Sequence, residues 1–400
     1  MNPDLQKLHA YPFERLRNLM EDVGVDSKSS IIDLSIGEPK TDLPNVVRDA
    51  LLESVENISY YPSTQGTTNL RQSIANWICR RFQIDDSLIP PSENLLPVNG
   101  TREALFGICQ AMFTKGQNSR YVAIPNPFYQ IYEGAAILAG AEPYYMPCPP
   151  YLNFIPEFES IERSIWEKTS VVYICSPNNP SGSVLKETDY RCLLQLADNY
   201  DFVVVADECY SEIYHDESNP PLGLLEWCVQ HNRKDFNKCL VVNSLSKRSG
   251  IPGLRSGFVA GDRKLIKEYY KYRTYQGGAM PLQVQSASIA AWNDEIHVVK
   301  NRKYYNDNMR LVDSIFNKPN IKIPDAGFFL WLSLPMDDIS ATKNLLLQGN
   351  LLVLPGQFLG RAINTLNPGQ NYIRVALVPN KEICKKALTT INRLIFHEDI

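Results

Sequence analysis

What the chain lacks narrows it first. No apolar run approaches the roughly twenty residues that a membrane span needs, and residues 1–11 carry no apolar stretch of the secretory-leader kind. Histidines are few and isolated, five in 400 residues, and the nine cysteines include no Cys-x-x-Cys pair. No metal site is therefore expected, Cys209 and His215 being too weak a pair to make one. Cys79, Cys109 and Cys175 lie in apolar runs and read as reduced thiols used as small core residues, the habit of a cytoplasmic protein. Charge of one sign is not in excess: 40 Lys and Arg stand against 44 Asp and Glu, a net of −4. Neither nucleic acid nor an anionic membrane is an expected partner. Low-complexity tracts and internal repeats are missing too.

What is there is a folded chain, 44% apolar and 21% charged, long enough for one large and one smaller domain. A short polar helix is expected over residues 12–21, helical spacing over 45–56, and a further helix from Thr68 with Leu70, Ile74, Trp77 and Ile78 on one face. From about residue 95 to 275, apolar strand-like runs (95–98, 121–125, 171–175, 202–206, 240–242, 258–260) alternate with helical spacing. That alternation predicts an α/β protein with a mostly parallel sheet covered on both faces. Residues 281–317 read as one long helix or two, leading to a C-terminal part with strands at 321–323 and 327–332, then 353–358 and 372–377.

Candidate functional residues fall repeatedly just past a strand end, where open α/β sheets place their ligands. The stretch Val241 to Arg255 is central. Lys247 at the mouth of a buried strand is placed to be desolvated, which lowers its pKa and makes the amine nucleophilic. Ser244, Ser246 and Arg255 offer hydroxyls and a forked cation for a phosphate. A lysine beside a phosphate grip is what a protein needs to hold pyridoxal phosphate as a Schiff base. Gly100-Thr101-Arg102 opens a helix whose first N–H groups favour a phosphate. Tyr129 follows a strand and either stacks on a flat ring or packs in the core. Asn179, in the rigid Asn178-Asn179-Pro180 turn, can donate its amide to a phenolic oxygen. Asp207 ends the most hydrophobic strand and needs a cation, for which a protonated pyridine nitrogen would serve; the competing reading is a helix cap. Tyr210, about one helical turn on, could reach the same ring. Tyr61, in a Pro/Gly loop, is open between packing and chemistry, and Gly37 between an ordinary turn and close backbone approach to a ligand. Arg374 sits inside an apolar strand and must meet an anion, either a protein carboxylate or a bound one.

Taken in order, Gly100-Thr101-Arg102, Asn179-Pro180, Asp207 with Tyr210, Ser244-x-Ser246-Lys247 with Arg255, and Arg374 resemble the class I/II aminotransferases of pyridoxal-phosphate fold type I, over essentially the whole chain. The resemblance implies a large domain with a mostly parallel seven-stranded sheet covered by helices, and a smaller α+β domain drawn from both chain ends. The expected division is an N-terminal arm and part of the small domain at 1–45, the cofactor domain at 46–285 and the small domain at 286–400. It implies Lys247 as the Schiff-base lysine and proton shuttle, Asp207 on the pyridine nitrogen, Asn179 and Tyr210 on the ring oxygen, and Tyr129 on the ring face. The phosphate would be held by the Gly100-Thr101-Arg102 turn, through the Thr101 and Arg102 backbone, with Ser244, Ser246 and Arg255, Tyr61 reaching over from a second subunit. Arg374 and the Gly37 backbone would take the substrate α-carboxylate, with Asn179 beside them, and the shared site implies a homodimer.

Within the family, Ser-Leu-Ser-Lys-Arg-Ser-Gly-Ile-Pro-Gly-Leu-Arg-Ser-Gly-Phe-Val-Ala-Gly-Asp (244–262) is most similar to the bacterial succinyldiaminopimelate aminotransferases. That implies glutamate as amino donor and N-succinyl-2-amino-6-oxopimelate as acceptor, in lysine and diaminopimelate biosynthesis. Aspartate or aromatic aminotransferases, and a carbon–sulfur β-lyase on the same scaffold, are the alternatives. In dicarboxylate-specific relatives a partner-subunit arginine reads the distal carboxylate. Arg273 is the nearest basic candidate here, but its offset matches poorly, and the group reading the succinyl end is left unassigned.

Overall fold

The computed structural model describes the chain apart from residues 25–30, 115, 117–118, 234, 317–320 and 397–400. A short strand, β1 (Ile32–Asp33), precedes the seven that make the main sheet: β2 (Leu95–Val98), β3 (Tyr121–Asn126), β4 (Glu142–Pro147), β5 (Thr169–Cys175), β6 (Val203–Asp207), β7 (Cys239–Ser244) and β8 (Gly257–Gly261). Their order is β2-β8-β7-β6-β5-β3-β4. β8 runs antiparallel to β2 and β7, and the remaining pairs are parallel. The mostly parallel, seven-stranded α/β sheet is the one the sequence implied. β5 to β7 are buried almost throughout, as parallel strands covered by helices on both faces must be. β4 has no counterpart in the alternation read from the sequence. Its Glu142-Pro143-Tyr144-Tyr145-Met146-Pro147 carries two prolines and is half-exposed, which only an edge strand tolerates.

The helices that frame the site are α1 (Pro12–Asp22), α2 (Asn45–Glu53), α3 (Thr68–Phe82) and α4 (Thr101–Met112). Thr67 caps α3, its hydroxyl accepting from the Leu70 N–H at 3.3 Å. One sheet face packs Trp77, Phe82, Phe258 and Trp292 into a ring cluster, the two indoles 4.9 Å apart between centroids. The other buries Leu105, Ile108, Tyr132, Tyr173 and Tyr269. Each such side chain contributes on the order of 1.5–3 kcal/mol by leaving water, so the strand ends rest on a rigid slab.

A second unit is built on β9 (Phe329–Ser333), β10 (Leu351–Leu352), β11 (Leu354–Pro355) and β12 (Tyr372–Ala376). β12 pairs antiparallel with β9 and β11, and β1 pairs in parallel with β10. Leu34, near the N-terminus, shares a core with Leu330, Val375 and Leu388. Two expectations for this half are corrected. The described part of 281–317 is three helices, Leu282–Asn293, Ile296–Met309 and Leu311–Phe316, residue 317 lying outside the described residues. Residues 321–323 form no strand. The apolar alternation Ile321-Lys322-Ile323 packs its isoleucines on the second core without a ladder partner. Residue 285, the expected end of the larger domain, lies inside the first of those helices, whose Ala287, Ala291 and Trp292 join the first core. We propose that the boundary falls after this helix, at Asp294. Among the described residues no helix is long and apolar enough to cross a membrane.

One strut in the larger unit is Arg273, on the helix Arg263–Gln276, with a fully buried side chain. Its Nε donates to Glu103 Oε1 at 3.0 Å, Nη1 to the Pro97 carbonyl at 2.5 Å and Nη2 to Asn99 Oδ1 at 3.0 Å. It thereby ties the end of β2 and the 99–100 turn to the first turn of α4. Replacing it by methionine would strand the Glu103 carboxylate and two further acceptors. Arg273→Met is expected to cost about 3–5 kcal/mol, read by chemical denaturation, against a much smaller loss for Lys271→Met, an exposed control on the same helix.

Candidate active site

The C-terminal ends of β3, β5, β6 and β7 open on one cavity of about 520 Å³. Asp207, the last residue of β6, lines it and is 4% exposed. The Tyr132 hydroxyl donates to its Oδ2 at 2.8 Å, and the Cys209 N–H to its Oδ1 at 3.2 Å. No lysine or arginine forms an ion pair with it among the described residues. Burial therefore pushes its pKa up, opposed by these hydrogen bonds and by the charge of Lys247. The helix-cap reading fails: residues after Asp207 form turns, so Tyr210 is not a helical turn away. Tyr210 still lines the cavity, its ring held edge-on by Phe328 at 5.5 Å.

Lys247 lies on the short helix Leu245–Arg248, which Ser244 caps by accepting from the Ser246 N–H at 3.3 Å. Its Nζ donates to the Gly37 carbonyl. Burial lowers its pKa to about 8 from 10.5, with Arg374 and Arg255 also lowering it while Cys209 and Glu38 pull the other way. Gly37 has no room for a side chain, because a Cβ would collide with the Phe329 ring.

Arg374, on β12, reaches the same cavity from the second unit and is 4% exposed. Nη1 donates to Asn179 Oδ1 at 2.8 Å and Nη2 to the Ser35 carbonyl at 2.7 Å, while the buried Nε meets no acceptor. The guanidinium stands 4.2 Å from the Phe329 ring centroid. With no carboxylate paired to it among the described residues, burial lowers its pKa to about 10. Because Arg374 engages the Asn179 oxygen, the amide nitrogen of Asn179 is left to the cavity.

The start of α4 forms another wall. Gly100 precedes it at φ +91°, a conformation suited to glycine, and a Cβ there would strike the Arg255 guanidinium. Among the described residues Arg255 bonds only carbonyls, of Pro252 at 2.8 Å and Asn99 at 3.3 Å. Thr101, Arg102, Ser244, Ser246 and Arg255 all line the cavity. The Cys209 thiol joins two of these hydroxyls, 3.0 Å from Thr101 Oγ1 and 3.9 Å from Ser244 Oγ. Tyr129 lines it as well, perpendicular to Tyr132, and its hydroxyl accepts from Arg102 Nε at 2.9 Å.

Of the residues singled out from sequence, Gly37, Thr101, Arg102, Tyr129, Asn179, Asp207, Tyr210, Ser244, Ser246, Lys247, Arg255 and Arg374 surround one space, with Gly100 directly behind Arg255. Tyr61 does not: it is fully exposed and lines no part of its own chain's cavity. Arg273, the candidate for a distal carboxylate, is buried elsewhere against Glu103. The sequence reading missed Tyr132, whose signal was its place three residues after Tyr129. It also missed Tyr11, Phe13 and Phe329, which line the cavity without any local pattern to mark them.

Residues 29–391 match the family described as aminotransferase class I and II. The chain belongs to that family. It is similar to an aminotransferase from Neisseria meningitidis, 44% identical with a TM-score of 0.93, covering 98% of this chain and 100% of that one. It is also similar to the aminotransferase AspB of Helicobacter pylori, 36% identical with a TM-score of 0.89, covering 96% and 98%. Among curated relatives, an LL-diaminopimelate aminotransferase of Maridesulfovibrio salexigens is 28% identical over 98% of each chain.

This aminotransferase has the fold type I architecture, and its cofactor is pyridoxal 5′-phosphate. The cavity fits that group on its own chemistry. A carboxylate without a paired cation among the described residues (Asp207), a lysine whose pKa is lowered by burial (Lys247), and hydroxyls with an arginine at a helix start are what a cationic ring nitrogen, an aldehyde and a phosphate require.

Two tests follow from the charges. The Lys247 amine should titrate near pH 8, so in cofactor-free protein its acetylation by acetic anhydride should rise through that pH, well below exposed lysines. The sign for stability follows: the cost of burying the charged amine is fully present below pH 8 and is relieved as pH rises towards 10.5. Asp207→Asn keeps the shape but removes the unpaired charge. The cofactor-free variant should melt no lower than wild type at neutral pH, because burial disfavours the charged carboxylate, while the loaded variant loses most of its turnover. Retained turnover would mean that Asp207 has only a structural task.

Proposed function

We propose that this aminotransferase exchanges an amino group between glutamate and N-succinyl-2-amino-6-oxopimelate, acting as a homodimer whose active sites share residues. The observation carrying the amino-acid reading is Arg374: a buried guanidinium with a free Nε and no carboxylate partner among the described residues, facing a cavity. A substrate α-carboxylate supplies the missing anion and can accept two parallel hydrogen bonds from the fork. The long acceptor is supported by the wording of residues 244–262, and the diaminopimelate skeleton by the relatives named for it.

When bound, the cofactor supplies an electron sink that lets the substrate Cα–H bond break. The chain's part is positional and protonic. Lys247 Nζ, its pKa lowered by burial to about 8, supplies a neutral fraction at physiological pH that takes the Cα proton and returns it. Asp207, fixed by Tyr132 and the Cys209 N–H, holds a proton at the ring nitrogen. The Asn179 amide and the Tyr210 hydroxyl orient the ring oxygen, and Tyr129 covers the ring face. The first N–H groups of α4, with Ser244, Ser246 and Arg255, hold the phosphate. Tyr61, fully exposed on its own chain, completes the grip in a second copy.

A second reading takes LL-diaminopimelate itself as substrate, because several curated relatives are named for it. The two differ in whether the distal nitrogen is succinylated, so purified enzyme supplied with 2-oxoglutarate and each diamine decides between them. Turnover of the free diamine alone would replace the succinyl reading, and turnover of aspartate or phenylalanine alone would replace both.

Arg374→Lys keeps the charge and loses the fork. It should lower kcat/KM for glutamate and for succinyldiaminopimelate by a common factor, roughly ten- to a hundredfold. A penalty confined to the succinylated substrate would instead put Arg374 at the distal end.

A further inference from the structure

A second cavity, of about 350 Å³, shares no lining residue with the catalytic one. Residues 9–15 are a wall common to both. Tyr11 and Phe13 line the catalytic side, while His9, Ala10 and Arg15 line the other. The loop after β11 completes the second cavity with Gln357 and Arg361.

Arg15 is its unusual member. It is half-buried near the start of α1, and its guanidinium carbon stands 3.9 Å from the centroid of the buried Phe358 ring. Its side chain makes no hydrogen bond and no ion pair among the described residues. The ring thus holds the fork in place while all five of its N–H donors stay uncommitted. Burial and the neighbouring Arg361 charge lower its pKa, against an opposing pull from Asp338. Asp338 does not answer it directly. That carboxylate is fully buried and taken up by the Gln357 N–H at 3.0 Å, Gln357 Nε2 at 2.9 Å and the Asn371 N–H at 3.1 Å. Glu133 is taken as well: Arg361 donates to it from Nε at 2.8 Å and Nη2 at 2.6 Å, and the Tyr145 hydroxyl at 2.7 Å. His9 Nδ1 stands 3.3 Å from the same carboxylate, half-exposed. Both nearby carboxylates are therefore occupied, and the Arg15 fork is open to an anion from outside.

We propose that this second cavity binds a small oxyanion, a phosphate or a carboxylate, in the plane of the Arg15 fork with Arg361 and His9 beside it. Both groups offer the paired oxygens that a guanidinium edge meets best. The bound anion fastens α1 to the loop after β11, and with it the segment that brings Tyr11 and Phe13 into the catalytic cavity. The site lies outside the catalytic machinery, and the inference does not depend on which amino acid is the substrate.

The test uses the cofactor-loaded enzyme, so that the cofactor's own phosphate fills its grip, and measures no turnover. Inorganic phosphate and acetate are titrated separately against chloride at equal ionic strength, which keeps general screening constant. Hydrogen exchange is followed at the backbone amides of Phe13 to Leu16 and of Gln357 to Arg361. One of the two anions, or both, should slow exchange in both stretches together. Protection by phosphate alone assigns the site to phosphate-bearing ligands, and protection by acetate alone to carboxylates. Arg15→Gln should raise the anion concentration needed for half the effect by roughly tenfold or more, and Arg15→Lys by less. Arg17→Gln, at an exposed position on the same helix, should leave it unchanged. Melting curves check that each variant folds. Absence of protection by either anion would overturn the proposal. Protection that survives Arg15→Gln would do so too, by placing the anion elsewhere. Equal weakening by Arg17→Gln would reduce the effect to diffuse charge and overturn it as well.

Discussion

Two buried charges with no ion-pair partner among the described residues, Asp207 and Arg374, are the constraint on which the rest of this structure depends. An ion buried without its counter-ion costs several kcal/mol, and a whole domain has only about 5–15 kcal/mol to lose. The protein meets this cost with what it places around each group. Asp207 keeps its charge tolerable through the Tyr132 hydroxyl and the Cys209 N–H. Arg374 has an amide oxygen, a carbonyl and the face of Phe329. None of these neutralises the charge. Both groups are held in place while an opposite charge is still wanted, and a ligand that is cationic at one point and anionic at another gains from meeting them.

The same contacts make the cavity a joint between the two units. Arg374, on the small sheet, is bonded to Asn179, which follows β5 of the large one. Lys247, after β7, is bonded to the Gly37 carbonyl, in the segment following β1. β1 in turn is paired with β10 of the second unit. Lys247 and Arg374, which line the cavity, are therefore also fasteners between the units. A carboxylate arriving at Arg374 adds to a junction that already exists, and release of Lys247 from Gly37 loosens another part of it. Binding and the fit of the two units are linked through these few bonds.

Much of this was legible in the sequence, and the parts that were not share a cause. Strands β5, β6 and β7 could be read because burial on both faces demands unbroken apolar runs, and the residue after each run is then conspicuous: Asn179 near the end of one, Asp207 at another, Lys247 past the third. β4 escaped because an edge strand escapes that demand. Residues 321–323 alternate like a strand, yet a ladder needs a partner and none is offered. Asp207 looked like a possible helix cap because local sequence does not say that turns follow. Tyr132 was hidden because its task depends on Asp207, 75 residues away. Tyr11 and Phe13 become part of the cavity only when the chain's first helix is laid across its mouth.

The buried arginines show why side-chain type alone cannot assign a role. Arg248, next to Lys247, is fully buried, but its Nη2 meets Glu295 Oε1 at 2.7 Å and its charge lies over Trp292. Arg273 is equally buried and meets Glu103. Both are paired with a carboxylate, although the buried Arg248 Nε, like that of Arg374, meets no acceptor. Arg374 is buried like them and has no carboxylate among the described residues. Their partners lie far along the chain, Glu103 being 170 residues from Arg273, so the distinction between a strut and a receptor is invisible until the fold brings the partner in or fails to. In this cavity it is the missing carboxylate, more than the arginine itself, that sets Arg374 apart from the two struts.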